Sequence, residues 1–124
     1  MKHPRTVLLI DDDRDNVAIC SVLLAHFGFR VIVAGDVATG VLLARDSRPS
    51  VVITELFGRT RTGWDVLEAL RARPETAGIP VIVLSTRVLP ADREAASGAA
   101  AFVAKPAYPS QVLDHVRRIC EGVA

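Results

Sequence analysis

Four places in this 124-residue chain put reactive groups at the end of an apolar run. Asp11-Asp12-Asp13 closes the run Thr6–Ile10, and Glu55 closes Val51-Val52-Ile53-Thr54. Ser85 closes Pro80–Leu84, and Lys105-Pro106 follows Ala101–Ala104. Carboxylates, a hydroxyl and a lysine gathered in one place would suit a phosphate or a hard metal ion. Mg²⁺ takes oxygen ligands in near-octahedral geometry, usually one or two carboxylates with phosphate oxygen and water. An acyl phosphate needs its charge neutralised, and a lysine does this. Each piece also has a plainer reading. Asp11 to Asp15 could be only a capped helix start, Lys105-Pro106 a turn, Ser85 a loop hydroxyl and Phe102 a core aromatic. Their joint placement is what favours a pocket.

That placement depends on the elements between them. Thr6–Ile10, Arg30–Val33, Ser50–Thr54, Pro80–Leu84 and Ala101–Ala104 are rich in β-branched residues. They are almost continuously apolar, as parallel strands covered on both faces are. Helical patterns fill most of the gaps. In the first, Ile19, Cys20, Leu23, Leu24 and Phe27 recur at helical spacing, with Asp13 or Asp15 as the cap and Gly28 as the stop. Asp36 caps a second helix that turns Val37, Ala38, Val41 and Leu42 inward. A third, Gly63–Ala72, buries Val66, Leu67 and Leu70. The last begins at Pro109 and buries Val112, Leu113, Val116 and Ile119. The alternation predicts one α/β domain over residues 1–124, a doubly wound parallel sheet with right-handed crossovers. Ligands of such sheets bind beyond the carboxyl ends of the strands. Asp11, Asp12, Glu55, Ser85 and Lys105 all fall there.

Composition narrows the classes. Half the residues are apolar and the net charge is +1. The basic residues are scattered, so no nucleic-acid face is expected. No apolar stretch reaches the roughly 18–20 residues of a membrane span, and the N-terminus lacks a secretory signal, so the expected setting is cytoplasmic. Cys20 and Cys120 are far apart, fit no metal spacing and read as small core residues in helices.

From Val7 to about Ile119 the chain resembles the receiver domain of two-component response regulators. The matching pieces are Leu8-Leu9-Ile10-Asp11-Asp12-Asp13, Pro49 six residues before Glu55, and Gly63 eight after it. They continue with Ile79-Pro80-Val81-Ile82-Val83-Leu84-Ser85 and Phe102-Val103-Ala104-Lys105-Pro106. The resemblance implies the flavodoxin-like (βα)5 fold with strand order 2-1-3-4-5. It also implies roles. Asp11 and Asp12 would hold Mg²⁺ together with the acceptor carboxylate and the carbonyl of Phe57. Ser85 and Lys105 would bind phosphoryl oxygens, and Phe102 would be the aromatic that rotates on activation. No organic cofactor is implied. Partners would be a histidine kinase, a phosphotransfer protein or an output protein. A flavodoxin-like small-ligand binder fits less well, because acids stand where a phosphate loop would follow the first strand.

The chain departs from the family at Glu55, where an aspartate accepts the phosphoryl group. Glutamate carries its carboxylate on the order of 1.5 Å further out, and a misplacement of about 1 Å can cost roughly a hundredfold in phosphoryl transfer. The longer arm would reach toward Ser85 and Lys105 as a partial phosphomimetic, with one charge against nearly two for a phosphate. The basic loop Gly58-Arg59-Thr60-Arg61-Thr62 lacks the usual proline, Thr86 replaces a small residue, and the stretch from Ser85 to Lys105 is short, with a brief helix expected from Pro90 to about Ala96. That stretch belongs to the family's usual dimer face, so the resemblance implies no oligomeric state here. The expectation is a pseudo-receiver: a phosphorylation-independent interaction module, not an enzyme. The alternative is a working Mg²⁺-dependent phosphoacceptor served by a histidine kinase.

Overall fold

Strands long enough to bury both faces need helices on both sides, and the chain supplies them in alternation. A computed structural model describes residues 5–55, 63–85, 98–104 and 109–121. Its elements run β1 (Thr6–Ile10), α1 (Arg14–His26), β2 (Arg30–Ala34), α2 (Val37–Ser47), β3 (Val51–Glu55), α3 (Gly63–Arg71), β4 (Val81–Ser85), β5 (Ala101–Ala104) and α4 (Pro109–Glu121). The strands form one sheet in the order β2-β1-β3-β4-β5, and every neighbouring pair is parallel. Three strands end one residue later than their apolar runs predict, so Ala34, Glu55 and Ser85 are the last residues of β2, β3 and β4. The helix expected at Pro90 to Ala96 lies outside the described residues.

Alternation along each strand divides the core into two layers. Val7, Leu9, Val51, Ile53, Ile82, Leu84 and Val103 pack with Cys20 and Leu24 of α1 and with Val112, Leu113 and Val116 of α4. Leu8, Ile10, Val52, Val81 and Val83 pack on the other face with Ala44 of α2 and with Val66, Leu67 and Leu70 of α3. The unbroken apolar runs thus belong to strands covered on both sides, and Val7, Leu8, Val51, Val52, Val81, Ile82 and Val83 have no exposed surface. Fully burying one such side chain is worth about 1.5–3 kcal/mol, which is what fixes the sheet and the ends of its strands.

The helix boundaries have local causes. The Asp13 side chain caps α1 by accepting from the N–H groups of Asp15 and Asn16. The other end is a Schellman turn: Phe29 N–H bonds the Leu24 carbonyl and Gly28 N–H bonds that of Ala25, with Gly28 at φ +91°. Phe29 joins the same core layer as Leu24. Asp36 caps α2 through Thr39, and those bonds to the Thr39 N–H and hydroxyl hold its carboxyl below the usual range. The α3 stop depends on Thr76, fully buried, whose hydroxyl donates to the Leu70 carbonyl at 2.6 Å.

Two inward faces differ from those the sequence suggests. Ile19 and Phe27 are 55% and 48% exposed. Ile19 lies about 100° around the helix from Cys20, off the stripe that meets the sheet. Phe27 is the C-cap, past the last turn, and the guanidinium of Arg117 on α4 lies over its ring. On α2 the buried residues are Gly40 and Ala44, while Ala38 and Leu42 face outward. A β-carbon on Gly40 would stand 2.5 Å from Ile10 Cδ1. Small residues, not the largest apolar ones, let α2 approach β1.

Candidate functional site

The sheet register gathers the chemistry at one edge. Ile10 pairs with Thr54, so Asp11 and Glu55 are the next residues on adjacent strands. Glu55 in turn pairs with Leu84, and Ser85 with Ala104. Adjacent strands are about 4.8 Å apart, which places the backbones of Asp11, Glu55 and Ser85 side by side. Lys105 follows Ala104 in sequence but lies outside the described residues, as do Phe57, Thr86 and the loop 58–62. The side chains of Glu55, Ser85 and Phe102 are likewise outside the described set.

Asp11, Asp12 and Asp13 do not play equal parts. Asp11 N–H donates to the Ala34 carbonyl at 3.0 Å, which extends the β1–β2 ladder one step beyond the strand. Its carboxylate is also held: Oδ1 accepts from Asp13 N–H at 2.9 Å, and Oδ2 accepts from Asn16 Nδ2 at 2.7 Å. The Asp13 carboxylate is exposed and capping α1. Asp11 and Asp12 are both partly buried. The acidic pair at the sheet edge is therefore Asp11 with Asp12, while Asp13 serves the helix. The helix-cap reading of the acidic run thus holds for Asp13.

Below this pair a narrow cleft runs between the sheet and α1, lined by Asp11, Asn16, Cys20, Thr54 and Leu84 among others. Thr54 is 2% exposed. Asn16 is the residue that sequence reasoning missed; its only signal is an amide in the first turn of a helix that follows an acid. Both cysteines are thiols rather than a disulfide. Cys20 is buried in the cleft wall. Cys120 is on α4, where partial burial pushes its thiol above the ordinary thiol range.

Asp11 and Asp12 offer hard carboxylate oxygens, the donor type that Mg²⁺ prefers. Each Asp11 oxygen has spent one lone pair on a donor and keeps another. These two acids are a donor type that fits Mg²⁺. No cluster of three or more metal-binding side chains occurs among the described residues. No helix there is long and apolar enough to cross a membrane.

The chain matches known proteins over nearly its whole length. The family model described as "Response regulator receiver domain" matches residues 7–117. "Probable transcriptional regulatory protein TcrX" of Mycobacterium tuberculosis is 32% identical over 119 residues, covering 94% of this chain and 50% of that protein. The DNA-binding response regulator MtrA of Mycolicibacterium smegmatis is 30% identical, covering 90% of this chain and 48% of its own length. The chain thus spans about half the length of these curated relatives. The name of MtrA attaches DNA binding to a protein about twice as long, whereas the expectation of no nucleic-acid face concerns these 124 residues alone. Among solved structures, the chemotaxis protein CheY4 of Vibrio cholerae superposes with a TM-score of 0.88 at 24% identity, covering 94% of this chain and 99% of that one. The receiver domain of sensor histidine kinase PA1611 from Pseudomonas aeruginosa superposes at 0.85 with 22% identity, covering 96% and 99%, and its active-site cleft coordinates a magnesium ion.

Proposed function

The chain belongs to the response regulator receiver domain family, and from that premise we propose that it is a receiver whose acceptor position holds a fixed carboxylate. It acts as a phosphorylation-independent interaction module of the cytoplasm with no catalysis of its own. One observation carries this reading: the residue that ends β3 beside Asp11 and Leu84 is Glu55. In-line phosphoryl transfer depends on position to within about 1 Å, and the extra methylene exceeds that tolerance. The Glu55 carboxylate is then a permanent negative charge in place of a transferred phosphoryl group, weaker than that of a phosphate. The partners are signalling proteins: a histidine kinase, a phosphotransfer protein or an output protein. A dimer built as in the rest of the family is not expected, given the short Ser85-to-Lys105 stretch.

Asp11 and Asp12 would hold Mg²⁺. When bound, the ion neutralises part of the carboxylate charge and offers a site for phosphoryl oxygen. Its solved counterpart is the magnesium in the PA1611 receiver. The two retained acids also favour a second reading, in which the chain still takes a phosphoryl group from a kinase onto Glu55 or a nearby acid.

Glu55→Asp separates the readings. The parent chain, given acetyl phosphate and Mg²⁺, is expected to stay unmodified, and the variant is expected to gain a phosphoryl group that hydroxylamine removes, as it does an acyl phosphate. Equal labelling of parent and variant supports the second reading and ends the first.

A further inference from the structure

We propose that Asn16 is a positioning residue for the metal site: its side-chain amide holds the Asp11 carboxylate in place for Mg²⁺. The inference rests on the reading of Asp11 and Asp12 as the metal-binding pair. Asn16 sits in the first turn of α1, and its Nδ2 is 2.7 Å from Asp11 Oδ2. A carboxylate accepts and an amide NH₂ donates, so only one orientation of the Asn16 amide is compatible with that contact. Its Oδ1 then faces the Cys20 Sγ at 4.0 Å. Asn16 is partly buried and lines the cleft between α1 and the strands, with Asp11, Cys20 and Thr54. Both neighbours are anchored. Asp13 caps the turn that carries Asn16, and Asp11 is tied by its backbone to β2.

The result is a strut between a helix and a strand end. An isolated aspartate beyond a strand has several staggered side-chain conformations. With Oδ1 bonded to Asp13 N–H and Oδ2 bonded to Asn16, the Asp11 carboxylate has one. The two donors occupy one lone pair on each oxygen and leave the others for a cation. A neutral donor is well suited to this task. A lysine or arginine at position 16 would itself neutralise Asp11 and compete with a metal. An aspartate there would add a like charge against it. Partners of this kind around metal ligands typically account for 10–100-fold in affinity.

The test is calorimetric titration of the full chain with MgCl₂, in the parent and in Asn16→Leu, Asn16→Ala and Asp11→Asn. Leu keeps the approximate volume and removes the donor; Ala covers the case in which Leu disturbs α1. Thermal melting of each metal-free protein reports whether the fold is intact. Asn16→Leu or Asn16→Ala, folded, is expected to bind Mg²⁺ about 10–100-fold more weakly, and Asp11→Asn more weakly still. A purely structural role would lower the melting temperature and leave the Mg²⁺ affinity of the folded variant unchanged. Affinity that is unchanged or tighter without the amide, while Asp11→Asn abolishes binding, overturns the role of Asn16 and leaves the acidic pair standing. No Mg²⁺ binding by the parent overturns both.

Discussion

Asp11 and Asp13 are two residues apart and do different work, which explains why the acidic run supports a pocket without crowding it. Asp13 gives its carboxylate to the N–H groups of Asp15 and Asn16, and Asp11 receives donors on both oxygens. The presence of acids after β1 was legible in the sequence, as was the alternative of a helix cap. The division between them was not, because it depends on backbone N–H directions that residue types do not encode. Asn16 was illegible because its bond to Asp11 joins the side chains of a helix and a strand end, which spacing in sequence does not show. Asp13→Ala should therefore act on stability. Loss of an N-cap costs about 1 kcal/mol, and urea unfolding should register it as a lower midpoint. The Mg²⁺ affinity of the folded variant should change far less than it does in Asp11→Asn. A drop in affinity as large as that of Asp11→Asn would show that Asp13 belongs to the pocket.

At the scale of elements, the strands were read from their apolar runs, and the reason is burial on both faces. Val7 to Ile10 and Val81 to Leu84 have no solvent side to mark with polar residues. Helix faces were read less well, because periodicity finds the apolar stripe but not how closely it approaches the sheet. On α2 the contact is made by Gly40 and Ala44, so Leu42 is left 49% exposed. The strand ends matter most for function. Glu55 and Ser85 are still paired in the sheet, so the site edge has its position set by the core beneath it. Gly40 tests the closeness of α2 to β1. Alanine there gains about 1 kcal/mol of helix propensity, but its β-carbon would meet Ile10 Cδ1 at 2.5 Å. Overpacking costs about 1–3 kcal/mol, so Gly40→Ala should destabilise on balance. Adding Ile10→Val removes Cδ1 and should recover part of the loss, with a coupling of about 0.5–3 kcal/mol in the double-mutant cycle. Additive losses would mean that the two side chains do not meet.

Over the whole molecule, the parallel arrangement gathers helix N-termini at the site end and helix C-termini at the other. Asp13, Asp15 and Asp36 stand at the first. His26, Arg45, Arg71 and Arg118 stand in the last turns. The aspartates and the last-turn arginines complement the dipoles of their helices, a local role for Arg45, Arg71 and Arg118. The same polarity sets positive helix ends near the acids and near any phosphate the site meets. Family membership follows from the match over residues 7–117, and the proposed function turns on Glu55, the residue that ends β3. The most direct measurement is intact-protein and peptide mass spectrometry of the parent chain after incubation with Mg²⁺ and either acetyl phosphate or a phosphohistidine donor. The account predicts no mass increase under conditions that label an ordinary aspartate receiver in parallel. A phosphoryl group located on Glu55 would contradict it.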